Sequence, residues 1–163
     1  MIKSKFTIVT FYQFKKIDNI IIIKKELAQL CKFNKIKGTI ILAEEGINGT
    51  IAGISKSIKK FESYLLSLGF TDHSPKYSHS KFMPFFKLKV RNKKEIVTLR
   101  SKGVDPENIT GKKIKPKYWN NLISDKKTIL IDLRNNFEVE MGTFKNSINP
   151  NTKSFTDFKN YLK

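Results

Sequence analysis

The chain has 163 residues, with 32 lysines and arginines against 14 aspartates and glutamates and a formal net charge of +18. A single cysteine excludes an internal disulfide and any cysteine-pair metal site, and the longest isoleucine run, Ile20 to Ile23, meets lysines and Glu26 far too soon to span a bilayer. So basic a balance suits a polyanion such as RNA, although heavy use of lysine, isoleucine and asparagine is also what AT-rich coding produces; a soluble cytoplasmic protein is the default reading.

Lys5 to Phe14 gathers Ile8, Val9, Thr10, Phe11 and Tyr12, which predicts a strand. Asp18 is placed to cap a helix running to about Asn34, whose buried stripe carries Ile20, Ile23, Leu27, Leu30 and Cys31. Cys31 therefore reads as a small core hydrophobe and not as a reactive thiol. Two short apolar stretches, Thr39–Ala43 and Gly49–Gly53, flank Glu44-Glu45-Gly46-Ile47-Asn48, and the glycine and asparagine there suit a tight reversal. A second helix starts at Ser55 or Ser57, buries Ile58, Phe61, Leu65 and Leu68, and ends near Gly69. A last strand is expected from about Phe85 to Arg91, continuing after a bend through Glu95–Leu99.

The order β-α-β-β-α-β is that of an α+β ferredoxin-like fold, two helices on one face of an antiparallel sheet, with the other face open to a partner. This domain is assigned to residues 1–100. Residues 101–115 hold Gly, Pro, Asp, Asn and lysine without periodicity and read as a linker. Residues 116–163 begin with a short helix at Pro116 (Tyr118, Trp119, Leu122, Ile123) and lead into an apolar strand, Ile129-Leu130-Ile131.

Lys87, Lys89 and Arg91 alternate with Leu88 and Val90, so in a strand the three cations share one face. Phe85, Phe86, Lys93 and Lys94 extend this into a basic and aromatic patch suited to unpaired RNA; the alternative is a solvated edge strand whose lysines oppose edge-to-edge pairing. Glu44 and Glu45 are adjacent and point to opposite faces, which argues against a cooperating acid pair and leaves them, with Asn48, as structural or substrate contacts. Asp132 and Arg134 follow a buried strand, as functional groups do in α/β folds, or form a structural ion pair. Glu138 and Glu140 are placed in a short strand or turn leading to Gly142. His73 and His79 lack partners at ligand spacing and are expected on the surface or against RNA, with no metal site. No glycine-rich phosphate loop is present, so no nucleotide cofactor is visible.

The segment TILIDLRNNFEVEMGTFKNSINPN, Thr128–Asn151, resembles the front half of a rhodanese domain, in which a reactive cysteine lies on a later loop. Together with IKGTIILAEEGINGTIAGI (residues 36–54) and FFKLKVRNKKEIV (residues 85–97), it makes the whole chain similar to the bacterial rhodanese-domain tRNA uridine hydroxylases. That resemblance implies 5-hydroxyuridine formation at wobble position 34 of tRNA, with O2 as co-substrate and tRNA as partner. It also implies an incomplete rhodanese domain in residues 116–163. No cysteine follows Asp132 in this sequence, so no catalytic residue is assigned, and the segment is expected to be poorly ordered or completed by a separately encoded C-terminal rhodanese half. The competing reading is a non-catalytic RNA-binding module left from that enzyme. A sulfur-transfer rhodanese is the weakest reading, since it needs the same missing thiolate.

Overall fold

A computed structural model describes residues 5–98, 111–153 and 155–161. The chain divides into two compact units, Met1–Val97 and Thr98–Lys163.

In the first unit, β1 (Phe6–Phe14), α1 (Ile20–Phe33), β2 (Lys37–Ala43), β3 (Gly46–Gly53), α2 (Ser55–Ser67), β4 (Lys76–Ser80) and β5 (Leu88–Asn92) follow in order. The sheet runs β4-β1-β3-β2-β5. Its neighbours are antiparallel except for β2 and β5, which are parallel. The ferredoxin-type core is therefore present, but it is completed differently from the sequence expectation. Its fourth strand is Lys76–Ser80, beside β1, and not the segment ending at Arg91. That segment crosses to the opposite edge and adds a fifth strand along β2, which makes the sheet mixed. No strand continues over residues 95–98; Leu99, and most of the expected linker, lie outside the described residues.

Strand alternation decides the core. Val9 and Phe11 of β1, Ile40 and Leu42 of β2, and Ile47 and Ile51 of β3 face Leu27 and Cys31 of α1 and Ile58, Phe61 and Leu65 of α2. Burying each large aliphatic or aromatic side chain contributes about 1.5–3 kcal/mol. Leu88 and Val90 of β5 pack at the margin of this cluster, which turns Lys89 and Arg91 outward. Phe11 lies across Gly49, where an added Cβ would sit 2.8 Å from the ring.

The helix ends differ in detail from the sequence reading. Asn19, not Asp18, occupies the cap position of α1, and Asp18 instead pairs with Lys16 at 3.4 Å. Ser55 is the first residue of α2, and its hydroxyl shares a hydrogen bond of 2.9 Å with Thr7. Beyond the α2 cap residue Leu68, Gly69 takes a positive φ of 80°, which an L side chain rarely adopts. Tyr64 donates to Glu26 and ties α2 to α1; Tyr77 donates to Glu62 and ties β4 to α2.

The second unit contains α3 (Pro116–Ser124), α4 (Asn136–Glu140), a 3-10 turn (Phe155–Asp157) and α5 (Phe158–Tyr161). Proline at the first position of α3 loses no helical hydrogen bond. The expected strand over Ile129–Ile131 is reduced to one parallel bridge, Ile131 with Ile148, because among the described residues nothing else pairs with it. Glu138 and Glu140 lie in α4 and not in a strand or turn; the Glu138 carboxylate accepts from both the backbone and side-chain nitrogens of Asn135, at 3.2 and 2.9 Å. No apolar side chain described in this unit is buried, and Ile129, Phe137 and Met141 are 73, 62 and 85% exposed.

Candidate nucleic-acid interface

Among the described residues of the first unit, both helices lie on one side of the sheet, because α1 and α2 pack against the face bearing Val9, Ile40 and Ile51. Along one edge, Lys89 and Arg91 project from β5 and are exposed, with Lys87 immediately before the strand. The Lys87 carbonyl accepts from the Gly38 amide at 3.1 Å, and the Lys93 amide donates to the Leu42 carbonyl at 2.8 Å, so the ladder fixes the backbone of this basic segment at both ends. Lys93 and Lys94 are exposed as well. Among the described residues no carboxylate forms an ion pair with any of these five cations. Phe86 is 99% exposed beside them, while Phe85 is half-buried. The structure thus brings Lys87, Lys89, Arg91, Lys93, Lys94 and one open aromatic ring onto a single edge. That arrangement can hold phosphates and stack a base.

Glu44, Glu45 and Asn48 are placed otherwise. Ala43 pairs with Gly46, so Glu44 and Glu45 form the two-residue turn between β2 and β3. Gly46 has φ +152°, and an added Cβ there would run into the Gln13 carbonyl. The carbonyls of Glu44 and Glu45 accept from the amides of Ile17 and Lys15, at 2.8 and 2.9 Å. The Glu45 Oε1 accepts from the Ile96 amide at 2.7 Å, and Asn48 Nδ2 donates to the Ile96 carbonyl at 3.0 Å. Both backbone groups of Ile96 are thereby satisfied while its side chain is 3% exposed. Glu45 and Asn48 form a clamp on the chain leaving β5, whereas the Glu44 side chain is exposed.

Asp132 and Arg134 meet in the second unit. Arg134 donates through Nε to Asp132 Oδ1 at 3.0 Å and through Nη2 to Oδ2 at 2.6 Å. Its Nη2 also donates to the Gly142 carbonyl at 2.7 Å, and the Thr143 hydroxyl donates to Asp132 Oδ2 at 2.8 Å. Thr143 and Ser147 share a further bond of 2.6 Å. The Arg134 guanidinium, then the Thr143 hydroxyl, hold the Asp132 carboxyl well below the usual carboxylate range, and Asp132 in turn raises Arg134. A carboxylate held this firmly in its ionised form is a poor proton acceptor, so the pair is a knot that fastens Gly142 to the end of the Ile131 bridge. The knot forms one wall of a cavity of about 530 Å³, whose other wall includes Trp119 packed on Phe144 at 5.4 Å. Thr143 and Ser147 carry no sequence signal for this role; only the fold brings them to Asp132.

Cys31 is fully buried, and burial pushes its thiol up to about 12. It holds almost no thiolate at neutral pH, which removes it as a nucleophile. His73 corrects the surface expectation: it is buried, edge-on to Phe11 at 6.5 Å, with Nδ1 3.2 Å from the Phe70 carbonyl. The polar sequence around it hides the fact that it lies three residues after Phe70, a core residue. His79 is exposed on β4.

Residues 6–96 match the family model of the UPF0176 acylphosphatase like domain. Over 159 residues, 97% of the chain, the sequence is 43% identical to proteins named tRNA uridine(34) hydroxylase in Brucella ovis and Brucella suis. The chain belongs to the family of the UPF0176 acylphosphatase like domain. It spans about half the length of these curated relatives, 52% in each case. Among solved structures, an acylphosphatase from Coxiella burnetii overlaps 56% of this chain and 100% of its own, at 11% identity and a TM-score of 0.40. The HypF protein overlaps 55% of this chain and 12% of its own, at 9% identity and a TM-score of 0.36. No helix among the described residues is long and apolar enough to cross a membrane.

Proposed function

We propose that these 163 residues are the tRNA-binding part of a tRNA uridine(34) hydroxylase, acting in the cytoplasm, and that they do not hydroxylate uridine alone. The observation that carries this reading is the 43% identity over 97% of the chain to proteins of that name. The exposed cations at β5 supply the phosphate contacts. Formation of 5-hydroxyuridine, with O2 as oxidant, depends on chemistry outside these residues, because the chain's single cysteine is sealed in the core and stays protonated. The open apolar surface of the second unit, with Ile129, Phe137 and Met141 exposed, is suited to a rhodanese half supplied as a separate chain.

The test has two arms. Binding of the chain to bulk tRNA is measured across a salt series against heparin as an anionic control; tighter binding to tRNA supports the reading, and equal binding overturns it. The chain is then expressed in cells lacking the hydroxylase, with and without the C-terminal half of a Brucella relative, and 5-hydroxyuridine in tRNA is measured by mass spectrometry. Hydroxylation only when both halves are present supports a two-part enzyme. Binding without hydroxylation in either case favours the second reading, a non-catalytic RNA-binding module, which the burial of Cys31 also fits.

A further inference from the structure

The pairing of the five strands places side chains together that lie far apart in the sequence. Lys76 of β4 faces Thr10 of β1, Thr10 faces Thr50 of β3, Thr50 faces Thr39 of β2, and Thr39 faces Lys89 of β5. Residues directly opposite in a ladder share one face, so these five form a single row across the helix-free side: lysine, three threonines, lysine. Four strand spacings of about 4.8 Å make the row about 19 Å long. Thr10 and Thr50 are linked hydroxyl to hydroxyl at 3.0 Å, and Lys76, Thr10 and Lys89 are exposed. On either side of this row, Arg91 faces Ile41 and Lys37 faces Ala52, adding two more cations to the same face. None of the five strands contains an aspartate or a glutamate; the described acidic residues of this unit lie in helices and connecting segments.

We infer that the helix-free face of the sheet is a binding platform for a single-stranded segment of RNA, laid across the threonine row from Lys89 to Lys76. This rests on the tRNA-binding reading and deepens it by assigning the surface. Cations at both ends and none of the opposite sign between them complement a phosphate backbone. Hydroxyls can both donate and accept, which suits a ribose 2′-hydroxyl or the edge of an unpaired base. A sheet lacking helices on one side offers a surface broad enough for splayed nucleotides, whereas a duplex would present mainly its backbone.

The experiment compares variants of the 163-residue chain by fluorescence anisotropy with a labelled 12-nucleotide oligouridine, the matching oligo-deoxyuridine, and an RNA duplex. K76A/K89A removes both ends of the row; K59A/K60A removes the same charge from exposed positions on α2. The first pair is expected to weaken oligouridine binding about tenfold and to lower the salt slope by about 1.4, at about 0.7 per lost single-strand phosphate contact. The α2 pair is expected to change binding less than about twofold, consistent with the loss of distant charge alone. T10V/T39V/T50V keeps the β-branched shapes and removes both partners of the Thr10–Thr50 bond together, which proteins tolerate well; it should reduce the preference for RNA over DNA while circular dichroism stays unchanged. If both lysine pairs weaken binding equally, or the valine variant keeps its full RNA preference, the platform is overturned while the tRNA reading stands. If the unsubstituted chain binds tRNA no better than heparin, the underlying reading fails first.

Discussion

The two units of this chain use apolar residues in opposite ways. In the first, alternate positions on β1, β2 and β3 close against α1 and α2, and Phe11, Phe61, Leu27 and Ile51 lose almost all contact with water. In the second, Phe137, Met141 and Ile129 stay exposed, and the local order comes from polar contacts centred on Asp132 and Arg134. A hydrogen-bonded knot can fix a loop, but an ion pair whose arginine is half-exposed contributes little to global stability. Area removed from water contributes much more, so the first unit is expected to fold alone and the second to depend on something that covers it.

The largest expected effect is in hydrogen exchange. Amides of β1, β2 and β3 should exchange at least about a thousandfold more slowly than those of residues 116–148, since local opening where few apolar contacts exist costs little free energy. Uniform protection across both units would erase the contrast. Next, Phe61→Ala should cost the first unit about 4 kcal/mol in urea unfolding and leave exchange in α3 and α4 unchanged; a parallel loss in both would show that they fold as one. Glu45→Ala, which strips the buried Ile96 amide of its acceptor, should cost about 1–3 kcal/mol without altering the Asp132 carboxyl signal. The smallest effect concerns pH. Because the Asp132 carboxyl is held below its unfolded value, its contribution is present above the ordinary carboxylate range and is lost only as pH falls through its lowered folded value. Its carboxyl carbon resonance should therefore stay unshifted from pH 7 to about pH 4, where an ordinary aspartate is half-titrated.

How much of this could be read from residues alone depended on whether the signal was local. The helices announced themselves through their apolar spacing, and Cys31 fell on the buried stripe as its position implied. The turn glycine at Gly46 marked the reversal. β4 is not legible in the sequence because KYSHS has no apolar alternation; it is a strand because β1 has an edge to pair with. β5 showed its alternation clearly, yet nothing in LKVRN says whether it lies beside β1 or β2. The Asn135-to-Glu138 spacing that starts α4 is a local cue of the capping-box kind. On the binding side, the cations of β5 were visible as a run, whereas the threonine row exists only once four separate pairings set the register.

Trp119 is the chain's one tryptophan. It sits in the second unit against Phe144, with its indole nitrogen enclosed and unpartnered among the described residues. Its emission therefore reports on that unit and not on the tightly packed first one, so a blue shift and loss of quenching by iodide would record the arrival of a covering chain without any attached label.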